Sequence, residues 1–356
     1  MQPVQPIRPS TMGRRPARRR QLRRAAALAS AIALAGGVAA CGSSSSNSST
    51  GSSSSSKASS GAGSGTTTVT IAYTAPIADQ MLAGVAQSAG LFQKNGINAK
   101  ITFLQASSAL PALASGQVQF AVIGAPSAEV ASVNGTPLQY IAQWENAIDA
   151  EIVANKSVGA VKSMNGKTVA ISSTGALSDF LVSIADQKYG IQMHEVPLGQ
   201  LPNQLTAYSH GSVDALSGTN PWLLPTLEKR VPGSHVVVDF RGDDGYPGVG
   251  LVADKKWTSS NASTAIKVLK AMTEALTYYK THPTQSIAVI VKATGETAAV
   301  ATQAYDTTKA AFSNSIVPTL TDQKNVLAAL TPTTPAAKGY DASKLLNASY
   351  AEQAQG

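Results

Sequence analysis

A single cysteine stands in this chain of 356 residues, at position 41, and it constrains the fold more than any other feature. Without a second thiol no disulfide can form within the chain, so the fold must be held together by its hydrophobic core alone. The residues after Cys41 also offer no thiolate nucleophile and no cysteine ligand for a metal. The sequence therefore excludes a disulfide-rich scaffold and a cysteine-based catalytic or metal site.

The residues around Cys41 are typical of a cleaved export signal. An arginine-rich segment precedes a short apolar stretch from Ala25 to Ala40, which predicts a secretory signal over residues 1–40. A membrane-spanning helix needs about 20 apolar residues, more than this stretch provides. The run Val38-Ala39-Ala40-Cys41 resembles bacterial lipoprotein signals, which implies that Cys41 becomes the acylated first residue of the mature protein. A buried free thiol is the alternative, but the serine tract that follows gives it no core to join.

Residues 41–65 are predicted to be the lipidated cysteine and a flexible tether. Positions 42–65 are nearly all serine and glycine, a composition that buries no apolar area and behaves as a coil. A coil of this length has an end-to-end distance on the order of 25–30 Å. The sequence thus predicts a folded domain hung from a membrane by a lipid anchor.

The charge of the chain is concentrated in the export signal. The net charge of +8 comes from 28 basic and 20 acidic residues, and eight of the arginines lie within residues 1–40, where no acid occurs. The remaining chain has 20 residues of each sign and is formally neutral. Because nucleic-acid binding needs a basic patch on the folded domain, no nucleic-acid partner is expected.

The remaining residues, about 290 of them from position 66 onwards, alternate short β-rich runs with helical stretches. This alternation predicts an α/β protein with two lobes. The first lobe is expected at residues 66–150 and 247–356, and the second, inserted within it, at 151–246. Two extended crossings near 145–155 and 241–250 would join the lobes as a hinge.

Four motifs occur in order along the mature chain: "AGLFQKNGINAKI", "ALASGQVQFAVIG", "SMNGKTVAIS" and "AYSHGSVDALSG". Together they resemble the solute-binding proteins of ABC importers, of the sulfonate, nitrate, taurine and thiamine-precursor type. Gln119 replaces the usual acid before Phe120, and Met164-Asn165 replaces a Leu-Lys step. Most of the motif glycines follow helices, where a left-handed C-cap favours glycine, so they indicate fold rather than ligand contact.

This resemblance implies a two-lobe periplasmic-binding-protein-like type II fold with the second lobe inserted in the first. It implies the substrate-binding component of an ABC importer on the extracytoplasmic face of the cell membrane. Such a protein would capture a small polar or anionic solute (a sulfonate, nitrate or a pyrimidine precursor) by hinge closure and deliver it to a permease and its ATPase. A monomer without a cofactor is expected.

Open α/β sheets bind ligands outside the carboxyl ends of their strands, which selects four loops and the two crossings as the candidate site. The loop after Ile171 is favoured, because hydroxyls and free N–H groups at a helix N-terminus accept a polar or anionic group, although helix capping is the alternative. A bulky residue at Thr174 is expected to weaken binding. For Ser127, capping is the favoured role. The candidate ligand-binding residues are Tyr73, Thr74, Ala75, Pro76, Ala125, Ser127, Glu145, Ser172, Ser173, Thr174, Gly175, Asn220, Trp222, Arg241 and Tyr246.

Two features leave the charge of the ligand open. Only Arg230 and Arg241 remain after the export signal, and Arg241 is the better candidate for binding an anion, unless the following Asp243 and Asp244 pair with it. Glu145, Asp149 and Glu151 would suit a cationic ligand instead, but a solvated charged loop is the favoured interpretation of that group.

Catalysis finds little support in the sequence, and no enzyme activity is expected. The four histidines show no metal-binding spacing, and no nucleophile elbow or phosphate-binding loop of the common types is present. Pyrimidine-precursor synthases share the implied fold, but resemblance to them leads one to expect a cysteine-rich iron motif. A ligand-sensing lipoprotein would share every feature described so far and stays as an alternative.

Overall fold

The computed structural model describes residues 66–145, 147–219, 223–241 and 245–356. The predicted export signal, Cys41 and the tether lie outside the described residues. So do the candidate residues Asn220 and Trp222, together with Asp243 and Asp244.

The described chain forms ten strands and thirteen α-helices, which alternate over most of its length. The strands are β1 (Thr67–Tyr73), β2 (Ile97–Phe103), β3 (Phe120–Gly124), β4 (Leu138–Gln143), β5 (Ala150–Ala154), β6 (Thr168–Ile171), β7 (His194–Pro197), β8 (Ala215–Thr219), β9 (His235–Asp239) and β10 (Val249–Asp254). The helices are α1 (Leu82–Ser88), α2 (Leu91–Lys94), α3 (Ala106–Ala114), α4 (Ala125–Val133), α5 (Leu177–Tyr189), α6 (Leu201–Ser209), α7 (Leu223–Arg230), α8 (Lys255–Ser260), α9 (Ala262–Thr281), α10 (Pro283–Thr294), α11 (Ala298–Ala311), α12 (Leu320–Leu330) and α13 (Ser349–Gln355).

The strands divide into two five-stranded sheets with the same plan. The first has the order β2-β1-β3-β10-β4, and the second has the order β7-β6-β8-β5-β9. In the first sheet β1 runs parallel to β2 and β3, while β10 is antiparallel to β3 and β4. In the second, β6 runs parallel to β7 and β8, while β5 is antiparallel to β8 and β9. Every strand of the second sheet lies in the chain between β4 and β10, which confirms the predicted α/β class and the inserted second lobe.

Helices pack on the faces of the sheets, so some strands are buried along their whole length. All residues of β3 and β4 are buried. Helix α9 supplies much of the cover on one face of the first sheet, with Val268, Leu269 and Met272 fully buried in its core. Their spacing of one, three and four places them on one stripe of the helix. The exact residue boundaries of the two lobes stay a prediction.

Local sequence signals located most elements closely. Helix α5 is followed by Gly190, which adopts the left-handed conformation with φ of 58°. Three short helices were not predicted, α2, α8 and α13. The signal for α8 is Asp254, whose carboxylate accepts a hydrogen bond from the N–H of Trp257 at 2.8 Å and caps the helix. Among the described residues, no helix is long and apolar enough to cross a membrane.

Candidate functional site

A cavity of about 550 Å³ lies between the two sheets and is called the cleft below. Its walls come from the carboxyl ends of strands in both sheets: Thr74 follows β1 and Gly124 ends β3, while Ser172 follows β6 and Gly218 lies in β8. This is where open α/β sheets bind ligands, and the volume lies within the usual range for small-molecule sites. The cleft is therefore the candidate binding site.

The structure separates the sequence-predicted residues into three groups. Six of them line the cleft: Thr74, Ala75, Pro76, Ser127, Ser172 and Ser173. Thr174 and Gly175 instead line a second cavity of about 370 Å³, together with residues of α4, α5 and the segment after α12. The others in the described chain line neither cavity: Tyr73, Ala125, Glu145, Arg241 and Tyr246.

The residues of this last group have other partners. The ring of Tyr73 packs against Phe103, with centroids 5.5 Å apart, and Phe103 in turn lines the cleft. The N–H of Ala125 donates to the carbonyl of Gly248 at 2.9 Å. Tyr246 makes an edge contact with Phe180 at 6.0 Å between centroids.

The two arginines that follow the export signal have different surroundings. The guanidinium of Arg241 pairs with Asp239, with Nε donating to Oδ1 at 2.9 Å, and its side chain is half exposed. Arg230, at the end of α7, lines the cleft. Sequence position favoured Arg241 because it lies beside the second crossing, but Asp239, the last residue of β9, supplies the carboxylate that it binds.

Gln80 was missed by the sequence analysis and shapes the loop after β1. Its Oε1 accepts hydrogen bonds from the N–H of Thr74 at 2.6 Å and the N–H of Ala75 at 2.9 Å. The Oγ1 of Thr74 also lies 3.1 Å from it. Gln80 is 5% exposed and lines the cleft. The sequence does not mark Gln80 as a site residue, because its hydrogen bonds form only when the loop after β1 folds back over its side chain.

Two helices begin at the cleft. Helix α4 starts after Gly124 and α5 after Ala176, and neither helix has a side-chain cap. The capping role predicted for Ser127 is therefore wrong, because Ser127 is the third residue of α4. Ser172 and Ser173 likewise do not cap α5. Since the first N–H groups of a helix lack partners within it, both helices present N–H donors toward the cleft.

Three serines on the second-lobe wall of the cleft are connected by hydrogen bonds. The N–H of Ser172 donates to Ser178 Oγ at 3.0 Å, and the two hydroxyls are also 3.0 Å apart. Ser217 Oγ donates to the carbonyl of Ser178 at 2.8 Å. These bonds tie the ends of β6 and β8 to the first turn of α5 and make that wall rigid.

The lining of the cleft is mostly neutral. Among the described residues, only Arg230 and Glu296 on its wall carry a charge, and these have opposite signs. Its polar groups are otherwise amides and hydroxyls, including Gln80, Gln105 and Gln204. Such a wall recognises a ligand through hydrogen bonds rather than through a strong charge of one sign.

Charged groups concentrate instead where the two chain crossings between the sheets meet, at the described residues 144–145, 147–149, 240–241 and 245–248, a region called the hinge below. Asp79, Glu145 and Asp149 form an acid cluster there, exposed by 1%, 1% and 4%. Neither oxygen of Asp79 or Asp149 has a hydrogen-bond partner among the described residues. The predicted solvated loop around Glu145, Asp149 and Glu151 is therefore wrong, because packing of the crossings removes these carboxyl groups from water.

Burial raises the pKa of each member of the acid cluster. It raises the pKa of Asp79 to about 7 and that of Asp149 to about 7, the latter with a further contribution from the charge of Asp79. The pKa of Glu145 lies well above its ordinary value because of burial and the neighbouring charges of Asp79 and Asp149. Tyr279 also faces this group, and burial raises its pKa as well.

The two crossings contact each other at Glu145 and Gly248. The N–H of Gly248 donates to the carbonyl of Glu145 at 3.0 Å. A Cβ on Gly248 would overlap the carboxyl group of Glu145 and lie 2.8 Å from its Cγ. Only glycine fits at this position, so the hinge depends on close backbone approach.

Comparison with protein-family models gives one match, to the family described as NMT1/THI5 like, over residues 80–286. Comparison with curated proteins gives no match.

Within the described residues, no group of three or more histidines, cysteines and acids is arranged to hold a metal ion.

Solved structures are similar over most of the chain. The alkanesulfonate-binding protein SsuA from Xanthomonas axonopodis pv. citri bound to MOPS is 18% identical, with 80% of this chain and 99% of that chain covered and a TM-score of 0.65. The aliphatic sulphonate binding protein SsuA from Escherichia coli is 18% identical, with 78% and 91% covered and a TM-score of 0.63. The nitrate-binding protein NrtA from Synechocystis PCC 6803 is 13% identical, with 81% and 88% covered and a TM-score of 0.64. At these identities the similarity shows the fold, which confirms the predicted periplasmic-binding-protein-like architecture.

Proposed function

Because the chain belongs to the NMT1/THI5-like family, we propose that it is the substrate-binding component of an ABC importer. It captures a small solute in the cleft and delivers it to a membrane permease driven by a separate ATPase. The observation that carries this proposal is the cleft itself, a cavity of about 550 Å³ whose walls come from both sheets. The chain acts as a binder rather than an enzyme.

Binding is coupled to movement of the two lobes about the hinge. A ligand held by Thr74 and Ser127 of the first lobe and by Ser172 and Ser173 of the second makes its full set of contacts only when the lobes are together. Such a ligand shifts the population toward the closed form by its differential affinity for that form. The permease then recognises the closed shape.

The solute is a small polar or anionic molecule of the sulfonate, nitrate or pyrimidine-precursor class. Amides, hydroxyls and helix N-termini on the wall provide hydrogen bonds to such groups. Apolar side chains on the same wall, among them Ile77, Phe103 and Leu181, accommodate a carbon skeleton.

The protein works outside the cytoplasm as a lipid-anchored monomer. Residues 1–40 direct export, Cys41 receives the acyl groups, and residues 42–65 connect the anchor to the folded chain. Metabolic labelling with a fatty acid tests this: the wild-type chain incorporates label into the membrane fraction, and Cys41→Ser does not. Equal labelling of both chains excludes the anchor.

A thermal-shift screen tests the binding function. Sulfonates, nitrate, pyrimidines, riboflavin and amines are added singly, and a ligand that binds only the native state raises the melting temperature. Small-angle scattering then measures whether the stabilising compound reduces the radius of gyration. Failure of every compound to stabilise the protein, or stabilisation without compaction, contradicts capture by closure.

A further inference from the structure

The amide of Gln80 has an orientation that is fixed by its neighbours. Its Oε1 accepts from the backbone N–H groups of Thr74 and Ala75, at 2.6 and 2.9 Å. A backbone N–H can only donate, so the atom that it meets must be the amide oxygen and not the nitrogen. The Nε2 group is consequently the other end of the amide.

No described residue pairs with this Nε2 group, which belongs to a side chain that lines the cleft. Gln80 is 5% exposed and lines the cleft, and no described residue accepts a hydrogen bond from its nitrogen. A buried amide that lacks a partner costs free energy unless a ligand or water completes its hydrogen bonds. The two N–H bonds of Gln80 Nε2 are therefore available to a ligand on the wall of the first lobe.

Ser127 lies on the same wall and adds donors. It is 5% exposed, and its hydroxyl has no hydrogen-bond partner among the described residues. Its N–H belongs to the first turn of α4, where Ala125 already donates to Gly248 and Pro126 has no N–H. The N-terminal end of a helix also favours negative charge, real or partial.

We propose that Gln80 Nε2 and Ser127 together form a donor site that binds a hydrogen-bond acceptor on the solute. The acceptor is an oxygen of a carbonyl, sulfonyl or oxyanion group, and a group that carries only N–H donors is rejected there. The inference rests on the proposed function of the cleft, and it specifies which end of the solute enters the first lobe. Gln80 is the specificity-determining residue, because its nitrogen cannot exchange places with its oxygen.

Gln80→Glu isolates the donor from the rest of the site. The introduced carboxylate keeps the size of the side chain and still accepts from Thr74 and Ala75, so the loop stays in place. It replaces the N–H donors with an oxygen acceptor. Lowering the pH until the introduced carboxyl is protonated restores one donor, so binding that is lost near neutrality should return in acid.

Three small probes distinguish the possible acceptors from a donor. Dimethyl sulfone is a neutral acceptor, methanesulfonate is an anionic acceptor, and methylammonium is a donor only. Side-chain amide NMR signals of the full chain are followed during titration, and the signal of Gln80 is assigned by its absence in Gln80→Glu. We expect at least one acceptor probe to move the Gln80 signal, and Gln80→Glu and Ser127→Ala each to weaken that probe at least tenfold. A shift of the Gln80 signal on addition of dimethyl sulfone indicates a carbonyl-like ligand. A shift on addition of methanesulfonate alone indicates an oxyanion.

Two outcomes overturn the inference. One is a Gln80 signal that neither acceptor moves at its highest soluble concentration, and the other is a signal that methylammonium moves as much as the acceptors do. Scattering separates this failure from failure of the proposed function. Compaction by a solute that leaves the Gln80 signal unchanged rejects the donor site alone, whereas movement of the signal without compaction by any solute rejects capture by closure.

Discussion

The cleft and the hinge are close in the chain but opposite in character. Gln80 lines the cleft, while its neighbour Asp79 belongs to the buried acid cluster of the hinge. The cleft is lined mainly by neutral hydrogen-bonding groups, whereas the hinge buries carboxyl groups against one another. Three buried carboxyl groups lie together where the lobes are joined, and among the described residues no buried carboxyl group lies on the wall of the cleft. Counting charged residues near the crossings therefore does not reveal the charge of the ligand.

The largest expected effect comes from filling the space at Gly248. Gly248→Ala places a methyl group on the carboxyl group of the buried Glu145, which must move or strain the crossing. Overpacking of this kind destabilises a protein by about 1–3 kcal/mol, and we expect the upper end of that range. Chemical denaturation of the variant measures the loss.

Gly159→Ala is the matched control, because a Cβ there meets only Ser163 Oγ at an ordinary distance of 3.6 Å. Its stability should differ little from that of the wild type. Equal stability of the two variants would show that the close approach of the crossings contributes nothing to the fold.

The second prediction concerns the pH dependence of the acid cluster. Burial raises the folded-state pKa of Asp79 and of Asp149 to about 7, above the ordinary aspartate value of 3.8. Folded protein thus binds more protons than unfolded protein between these values, so stability should fall as the pH rises from about 4 to about 7 and then level off. Asp79→Asn or Asp149→Asn removes a titrating group, and each should make that fall smaller.

Melting temperature measured from pH 4 to pH 8 tests this prediction. Glu296→Gln, which changes an acid on the wall of the cleft, serves as the control and should leave the profile unchanged. The contrast between hinge and cleft is lost if all three variants follow the wild-type curve. Glu145 and Glu151 contribute to the remaining slope, because burial raises the pKa of each.

The third prediction separates two adjacent residues of the loop after β6. Ser173 lines the cleft, whereas Thr174 lines the second cavity. Ser173→Tyr should weaken binding of the solute identified by thermal shift at least tenfold, or about 1.4 kcal/mol. Thr174→Tyr should change the affinity less, contrary to the expectation from sequence, and calorimetry measures both. Equal losses would mean that both sides of this loop contact the solute.

The smallest expected effect is at the contact between the lobes beside the cleft. A Cβ on Gly124 would lie 3.1 Å from the Cβ of Leu177, which belongs to the other lobe. Gly124→Ala should therefore disfavour the closed form by about 1 kcal/mol while leaving each lobe folded. An increased radius of gyration at unchanged melting temperature would support this, and an unchanged radius would show that the contact does not limit closure.

The fold was accessible from the sequence because its signals are local. The apolar run at Phe120–Gly124 and the helix that ends at Gly190 are each specified by residues within one element. The order of strands and helices then limits how the chain can be arranged in sheets. Short helices such as α13 escaped prediction, since one or two turns carry too little periodicity to stand out.

The candidate site could be predicted only in part from the sequence, because the sequence signals are local and the contacts of the site are not. The sequence placed four loops at the carboxyl ends of strands, and the described residues Thr74, Ser127, Ser172 and Gly218 line the cleft. Which side of a loop faces the cleft was not decided locally, so Ser173 and Thr174 could not be distinguished. Gln80 gave no signal at all, because its partners are six and five positions away through a turn.

By itself, the sequence determined the α/β class, the inserted second lobe and the absence of any disulfide, since these follow from residue order and composition. Tertiary structure alone decided which charges are buried and which polar atoms remain unpaired. Burial and hydrogen bonding depend on the approach of residues far apart in the chain, as when Gly248 meets Glu145. That approach changes the pKa of a carboxyl group and the direction of an amide, and no local pattern records either.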